Sequence, residues 1–235
     1  MSGLKHLRPG LSLPTSARAL AAWDTLVPST QHSPMPEQLM FAVVYELGRR
    51  GFGEMGLFVW LTFHCYLRAT EGVNLLVSDV ILPGPTVPST DAAIFLPYSK
   101  TGRNQSVMIT STHLVSLLRK QIRGKEPDHP VFDFSYWVVA RAVKTILCDW
   151  GLGEQFSPLH SLRQGGATTD FQRGVPFPDI KVRGRWVLES TCRRYLQAAK
   201  ALLLAVQLPP CILELGNLCK RRPQALMNYL AATLS

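Results

Sequence analysis

His160 and Arg163, then Trp186, then Tyr195 place a base, a fixed cation, an indole donor and a phenol in one short C-terminal stretch. Upstream, Arg68 and Glu71 stand three residues apart in Tyr66-Leu67-Arg68-Ala69-Thr70-Glu71, and Lys100 precedes Thr101-Gly102. This set suits phosphoryl transfer to a tyrosine. That reaction needs a nucleophile, cations fixed where charge gathers on the non-bridging oxygens, and a proton for the leaving oxygen. Arginine meets the second need because its planar fork pairs two oxygens at once and keeps its proton. Lysine meets the third because an ammonium gives up its proton more readily.

Each residue also has a plainer reading. Tyr195 is the candidate nucleophile; a phenol has an ordinary pKa of about 10 and needs cationic surroundings or a base to react. Arg193 and Arg194 precede it, yet a lone tyrosine is more often a half-buried helix residue. His160 and Arg163 share a face if a helix begins there, and Ser157-Pro158 fits such a start, which would add backbone donors for an anion. Arg68 closes an apolar segment, where a guanidinium is costly unless it is paired or bound to an anion. Glu71 can hold it and leave donors free, or the two form only a structural ion pair. Lys100 sits on a turn between strands, from which it can reach a leaving 5′ oxygen or simply stay solvated. Trp186 can donate one hydrogen bond while its ring packs the core.

The elements that would position these side chains are legible in the pattern. Ser33-Pro34-Met35-Pro36-Glu37 reads as a helix start with Ser33 as cap, and Leu39, Val43, Val44 and Leu47 follow at helical spacing up to Gly51. A second helix, apolar around its circumference and therefore central, is expected over 54–68. Strands are expected over 77–82, 92–98 and 106–110, with Lys100 in the second connection. Further helices are expected over 111–123, 135–149, 158–173, 177–184, 188–206 and 223–233. Gly51, Gly124, Gly151 and Gly174 fall where stops are needed. The fold class is thus mainly α with a small antiparallel sheet. Residues 1–33, rich in Pro, Ser and Thr, read as a flexible leader or the remnant of a preceding domain, and 34–235 as one domain with a helical tail.

Composition narrows the partners. The 235 residues carry 25 Lys+Arg against 16 Asp+Glu, a net charge of +9, which favours a polyanion. The five cysteines are widely spread without zinc spacing, which fits reduced thiols in an intracellular compartment. The apolar run Met55 to Leu67 is too short to span a bilayer and reads as a buried helix.

The order and gaps of these residues carry more than any one of them. Arg163 to Trp186 is 23 residues and Trp186 to Tyr195 is nine. That spacing resembles the tyrosine recombinases, the integrase family. Tyr66 to Glu71 resembles that family's first arginine box, and Ser99-Lys100-Thr101-Gly102-Arg103 its lysine hairpin. Gly165-Gly166-Ala167-Thr168 with Gly184-Arg185-Trp186 is most similar to the recombinases of eukaryotic mobile elements. The resemblance covers roughly residues 36–200. It implies the DNA breaking-rejoining fold and double-stranded DNA as partner, and it would make residues 1–33 the remnant of an N-terminal DNA-binding domain. Arg68, His160, Arg163 and Trp186 would bind the scissile phosphate, with Glu71 in support. Lys100 would be the general acid, and Tyr195 would form a 3′-phosphotyrosyl bond. It implies neither metal nor nucleotide, a tetramer on paired sites, and a nuclear location. A type IB topoisomerase and a DNA-binding relic without catalysis are the alternatives. The short leader, Trp186 where His is commoner, and Gln164 where a second His is frequent are departures from the family pattern.

Overall fold

The computed structural model describes residues 33–84, 92–99 and 102–234. The leader and Lys100 lie outside the described residues.

Two helices form the centre. α1 (Glu37–Arg49) starts after Pro36, which takes the cap position expected for Ser33. It ends where Gly51 adopts φ +80° and Phe52 N returns to Leu47 O at 2.8 Å. A left-handed residue just past a helix lets its amide and the next one fold back on the last carbonyls. Gly124, Gly151 and Gly174 also have positive φ, as expected of stops. α2 (Gly53–His64) is buried from Gly56 to Phe63, so the expected central helix is present. Phe58 packs edge-on against Phe132 and Phe134, with centroids 5.4 and 5.5 Å away.

α2 stops four residues before Arg68, its expected end. Tyr66 turns the chain with φ +48°, and Leu67 N bonds back to Thr62 O at 3.1 Å. A bulky residue in this region costs about 1–2 kcal/mol, so no local sequence signal announces the stop. The short α3 (Ala69–Val73) follows, with Arg68 at its N-cap.

The sheet runs β1 (Val80–Ile81), β2 (Ala92–Ser99), β3 (Gly102–Ile109), all antiparallel in that order. The expected first strand shrinks because residues 77–79 form a 3-10 turn, with Val77 and Ser78 amides donating to His129 and Pro127 carbonyls. β3 starts earlier than expected: Ser99 pairs with Gly102, so most of the segment read as connection is hydrogen-bonded strand. Val107 and Ile109 face the core while Ser106 and Met108 face out.

The rest is helical: α4 (Thr112–Gln121), α5 (Tyr136–Asp149), α6 (His160–Gln172), α7 (Phe177–Arg183), α8 (Glu189–Tyr195), α9 (Ala198–Val206), α10 (Pro210–Arg221) and α11 (Pro223–Ala232). The single helix expected over 188–206 is two, broken at Leu196 and Gln197. α10 was not expected. It buries Ile212, Gly216 and Cys219 and crosses α1 so closely that a side chain at Gly216 would overlap the Gln38 backbone. The tail folds back on its own domain: Leu226, Leu230 and Leu234 are buried, and Tyr229 stacks on Tyr45 at 5.3 Å.

Candidate active site

The site is organised by one carboxylate. As the third residue of α3, Glu71 accepts from the Arg68 backbone amide (2.8 Å) and from Arg68 Nη1 (2.6 Å). The same carboxylate accepts from Arg185 Nη2 at 2.6 Å and lies 4.0 Å from Arg163 Nη1. Three guanidiniums therefore surround one carboxylate, and two of them, Arg163 and Arg185, are buried.

Arg163 projects from the first turn of α6. Its Nη1 donates to Tyr66 O and its Nη2 to Gly184 O, both at 2.5 Å, which fixes the plane of the fork. α6 approaches the end of α2 closely enough for this only because residues 165 and 166 are glycines. A Cβ on Gly165 would overlap Met35 O, and one on Gly166 would overlap Phe63 O.

Arg185 and Trp186 are set by the end of α7. Arg185 takes φ +55°, its N donates to Val182 O (2.9 Å), and Trp186 N donates to Lys181 O (3.1 Å). This is the paired return of a helix C-terminus, with arginine in the position that glycine usually fills. Gly184 is needed for another reason: the Trp186 ring lies against its Cα, and any Cβ would overlap that ring. Arg163 Cζ then sits 4.8 Å from the Trp186 centroid and 5.9 Å from that of Tyr195.

Tyr195 is the last residue of α8. The break after it is stabilised by Thr168 on α6, whose hydroxyl donates to Tyr195 O (2.9 Å) and accepts from Gln197 N (3.4 Å). These bonds satisfy backbone groups that the interrupted helix leaves open. Arg163 is the cation that lies over the phenol ring. Arg193, expected to serve that role, instead pairs with Glu189 at 2.5 Å and covers the Phe177 ring at 4.8 Å.

Electrostatically the pocket has excess positive charge. Burial, with Arg185 and Arg68 adding to it, lowers the Arg163 pKa to about 9. Burial also lowers that of Arg185. Burial alone would raise Glu71, but Arg185 and the hydrogen bonds from Arg68 outweigh it and hold the carboxyl below its usual range. Arg163 Nε and Arg185 Nε are buried without a partner. A buried surplus of cations is unfavourable in an empty pocket and favourable once an anion occupies it.

The structure thus brings together Arg68, Glu71, Arg163, Trp186 and Tyr195. His160 begins α6, one turn before Arg163, on its exposed end. The donors expected at that helix end are partly engaged, since Ser161 N bonds Ser157 O (3.1 Å) and Leu162 N bonds Leu159 O (3.3 Å). Lys100 lies outside the described residues. A cleft of about 410 Å³ beside the cluster is lined by Gln105 of β3, Lys181, Arg185 and Trp186. Sequence reasoning missed Arg185; its one signal is its place between Gly184 and Trp186.

No protein-family model matches the sequence, and no curated protein does either. Solved structures match in fold. The XerA recombinase aligns with a TM-score of 0.57 over 78% of this chain and 68% of its own, at 17% identity. The catalytic domain of bacteriophage HP1 integrase aligns with a TM-score of 0.53 over 77% of this chain and 96% of that domain, at 20% identity. The XerH site-specific recombinase, bound to palindromic difH substrate in a post-cleavage complex, aligns with a TM-score of 0.55 over 73% of this chain, at 18% identity. The matched region is 51% of the XerH chain, about half its length. Mostly helical, with one three-stranded antiparallel sheet, this chain has the fold of a tyrosine recombinase (integrase-type) catalytic domain.

Proposed function

We propose that this chain is a site-specific DNA recombinase that cleaves and rejoins DNA through a 3′-phosphotyrosyl intermediate. The observation that carries the reading is the surplus of guanidiniums around Glu71, with Arg163 and Arg185 buried and Arg68 partly so, beside the rings of Trp186 and Tyr195. A phosphodiester would seat its non-bridging oxygens on the guanidiniums. The Tyr195 oxygen would lose its proton and attack phosphorus, with His160 as base or phosphate donor. As the bond to the 5′ oxygen breaks, Lys100 would supply the proton. The phosphotyrosyl bond conserves the energy of the original linkage, so a 5′ hydroxyl can reverse the step and reseal the same or an exchanged strand. Stabilisation of the pentavalent state by fixed cations in a water-poor pocket would provide most of the rate.

The proposal takes double-stranded DNA as partner from the net charge and the resemblance to tyrosine recombinases, four copies on paired sites from that family, and a nuclear location from the likeness to recombinases of eukaryotic mobile elements. One observation favours a second reading. α11 folds onto its own α1 and α2, with Leu230 against Gly48 and Gly56, which suits an enzyme acting alone, as a type IB topoisomerase does.

Covalent trapping tests the chemistry. A pool of nicked duplexes of mixed sequence, in which cleavage releases a short diffusible strand, should give an adduct with the wild-type chain and none with Tyr195→Phe. DNA retention without an adduct would leave a binding protein in place of an enzyme. Relaxation of supercoiled plasmid without paired sites would favour the topoisomerase.

A further inference from the structure

A second, small buried cluster stands apart from the main core: Tyr66 with Ala167, Ile180, Trp186 and Cys192. Tyr66 is one of two non-glycine residues that end a helix among the described residues with a left-handed backbone, the other being Arg185. Glycine takes such a turn freely, as at Gly51 and Gly151, so the side chain of Tyr66 needs a role that outweighs its steric cost. Its connections supply one. The Tyr66 carbonyl accepts from Arg163 Nη1 at 2.5 Å and from Arg185 Nη2 at 3.3 Å, so one oxygen aims two guanidiniums of the phosphate pocket. At its other end the phenol donates a short hydrogen bond to Asp170 Oδ2. Burial, then Asp170, pushes the phenol far above its ordinary pKa and keeps it a donor. Arg183 closes the arrangement: its Cζ lies 5.1 Å from the Tyr66 ring centroid, Nη1 is 3.5 Å from Asp170 Oδ2, and Nη2 donates to His64 O at 2.7 Å.

Arg163 and Asp170 lie seven residues apart on α6, two turns along one face. The helix that carries the guanidinium therefore also carries the anchor for the residue that aims it. We infer that Tyr66 and Asp170 are positioning residues for phosphoryl transfer: the phenol–carboxylate bond fixes the turn at the end of α2 and so directs the carbonyl that holds Arg163 and Arg185. This inference rests on the proposed function and deepens it.

The test is single-turnover cleavage of the nicked duplexes by the full chain. Tyr66→Phe keeps the ring and loses only the anchor. Its maximal rate at saturating DNA should fall by roughly tenfold to a hundredfold, the scale of a small misplacement of catalytic groups. The half-saturating DNA concentration should stay within about twofold. Asp170→Ala should fall equally, and the double variant no further, whereas Asp170→Asn, which keeps an acceptor oxygen, should recover most of the rate. A maximal rate unchanged in Tyr66→Phe, or a loss only in DNA affinity or melting temperature, overturns the inference. If the wild type forms no adduct, the proposed function fails instead. Arginine side-chain NMR then decides the positioning role alone. The Nε–H signals of Arg163 and Arg185 should shift in Tyr66→Phe, and unchanged signals would contradict it.

Discussion

The rings of Trp186 and Tyr195 lie 5.1 Å apart, inclined at 43°, and the Arg163 guanidinium rests over both. One aromatic wall thus holds the candidate nucleophile and the most buried of the site's family-predicted cations in register. Each cation–π contact contributes from about 0.5–1 kcal/mol when exposed to about 2 kcal/mol when desolvated. Moving Trp186 therefore disturbs both groups together.

Gly184→Ala makes that move without touching a reactive group. Its Cβ would overlap the Trp186 ring, and the ring must leave its place. The variant should fold, show altered tryptophan emission, and cleave DNA at least about tenfold more slowly, since a displaced wall misaligns Arg163 and Tyr195. Wild-type cleavage together with an altered emission spectrum would show that the ring position is immaterial.

Arg163→Lys separates charge from geometry. An ammonium cannot bridge Tyr66 O and Gly184 O as the fork does. The cleavage rate should drop on the order of 10²–10³, while DNA affinity changes by less than about threefold. Arg163→Ala should also lose cleavage more than binding. It should lower the melting temperature too, because the Gly184 carbonyl loses its side-chain donor, at about 1–3 kcal/mol, while the Tyr66 carbonyl keeps only the longer bond from Arg185. Equal losses of binding and cleavage would contradict the role.

Glu71→Gln tests the electrostatic balance. Removing the carboxylate leaves Arg68, Arg163 and Arg185 uncompensated, and breaking a buried pair in this way costs about 3–5 kcal/mol. The folded Glu71 pKa is depressed, so its stabilisation is complete above the unfolded value of about 4.3 and disappears as pH falls through the folded value. The melting-temperature gap between wild type and Glu71→Gln should therefore be widest near neutrality and narrow below about pH 4. A gap that stays constant on acidification would assign the loss to packing instead.

DNA affinity should fall steeply with salt. A net charge of +9 facing phosphates releases counterions on binding, so a log–log plot of affinity against salt should be linear with a slope of several units. A flat plot would place the basic residues elsewhere than on DNA.

The parts of this molecule that the sequence discloses are those whose signal is local. The apolar run of α2, the glycine stops and the spacing from His160 to Tyr195 are each written in neighbouring residues. The parts it conceals are set by tertiary partners. α2 ends at His64 because Tyr66 is anchored to Asp170, and no glycine marks the place. The helix over 188–206 breaks because Thr168, a residue of α6, bonds to both sides of the gap. α10 is hidden by Pro209-Pro210, which reads as a breaker although Pro210 occupies the first helical position, where its missing N–H has no consequence. Arg185 escapes notice because its role comes from a left-handed backbone that its residue type does not suggest.

Mapping the trapped adduct by mass spectrometry is the most direct measurement. After digestion of protein and DNA, the peptide that contains Tyr195 should carry a nucleotide through its 3′ phosphate. A nucleotide on any other residue, a 5′ linkage, or an unmodified Tyr195 peptide from a sample that has cleaved DNA would contradict tyrosine attack within the Arg68–Arg163–Arg185 pocket.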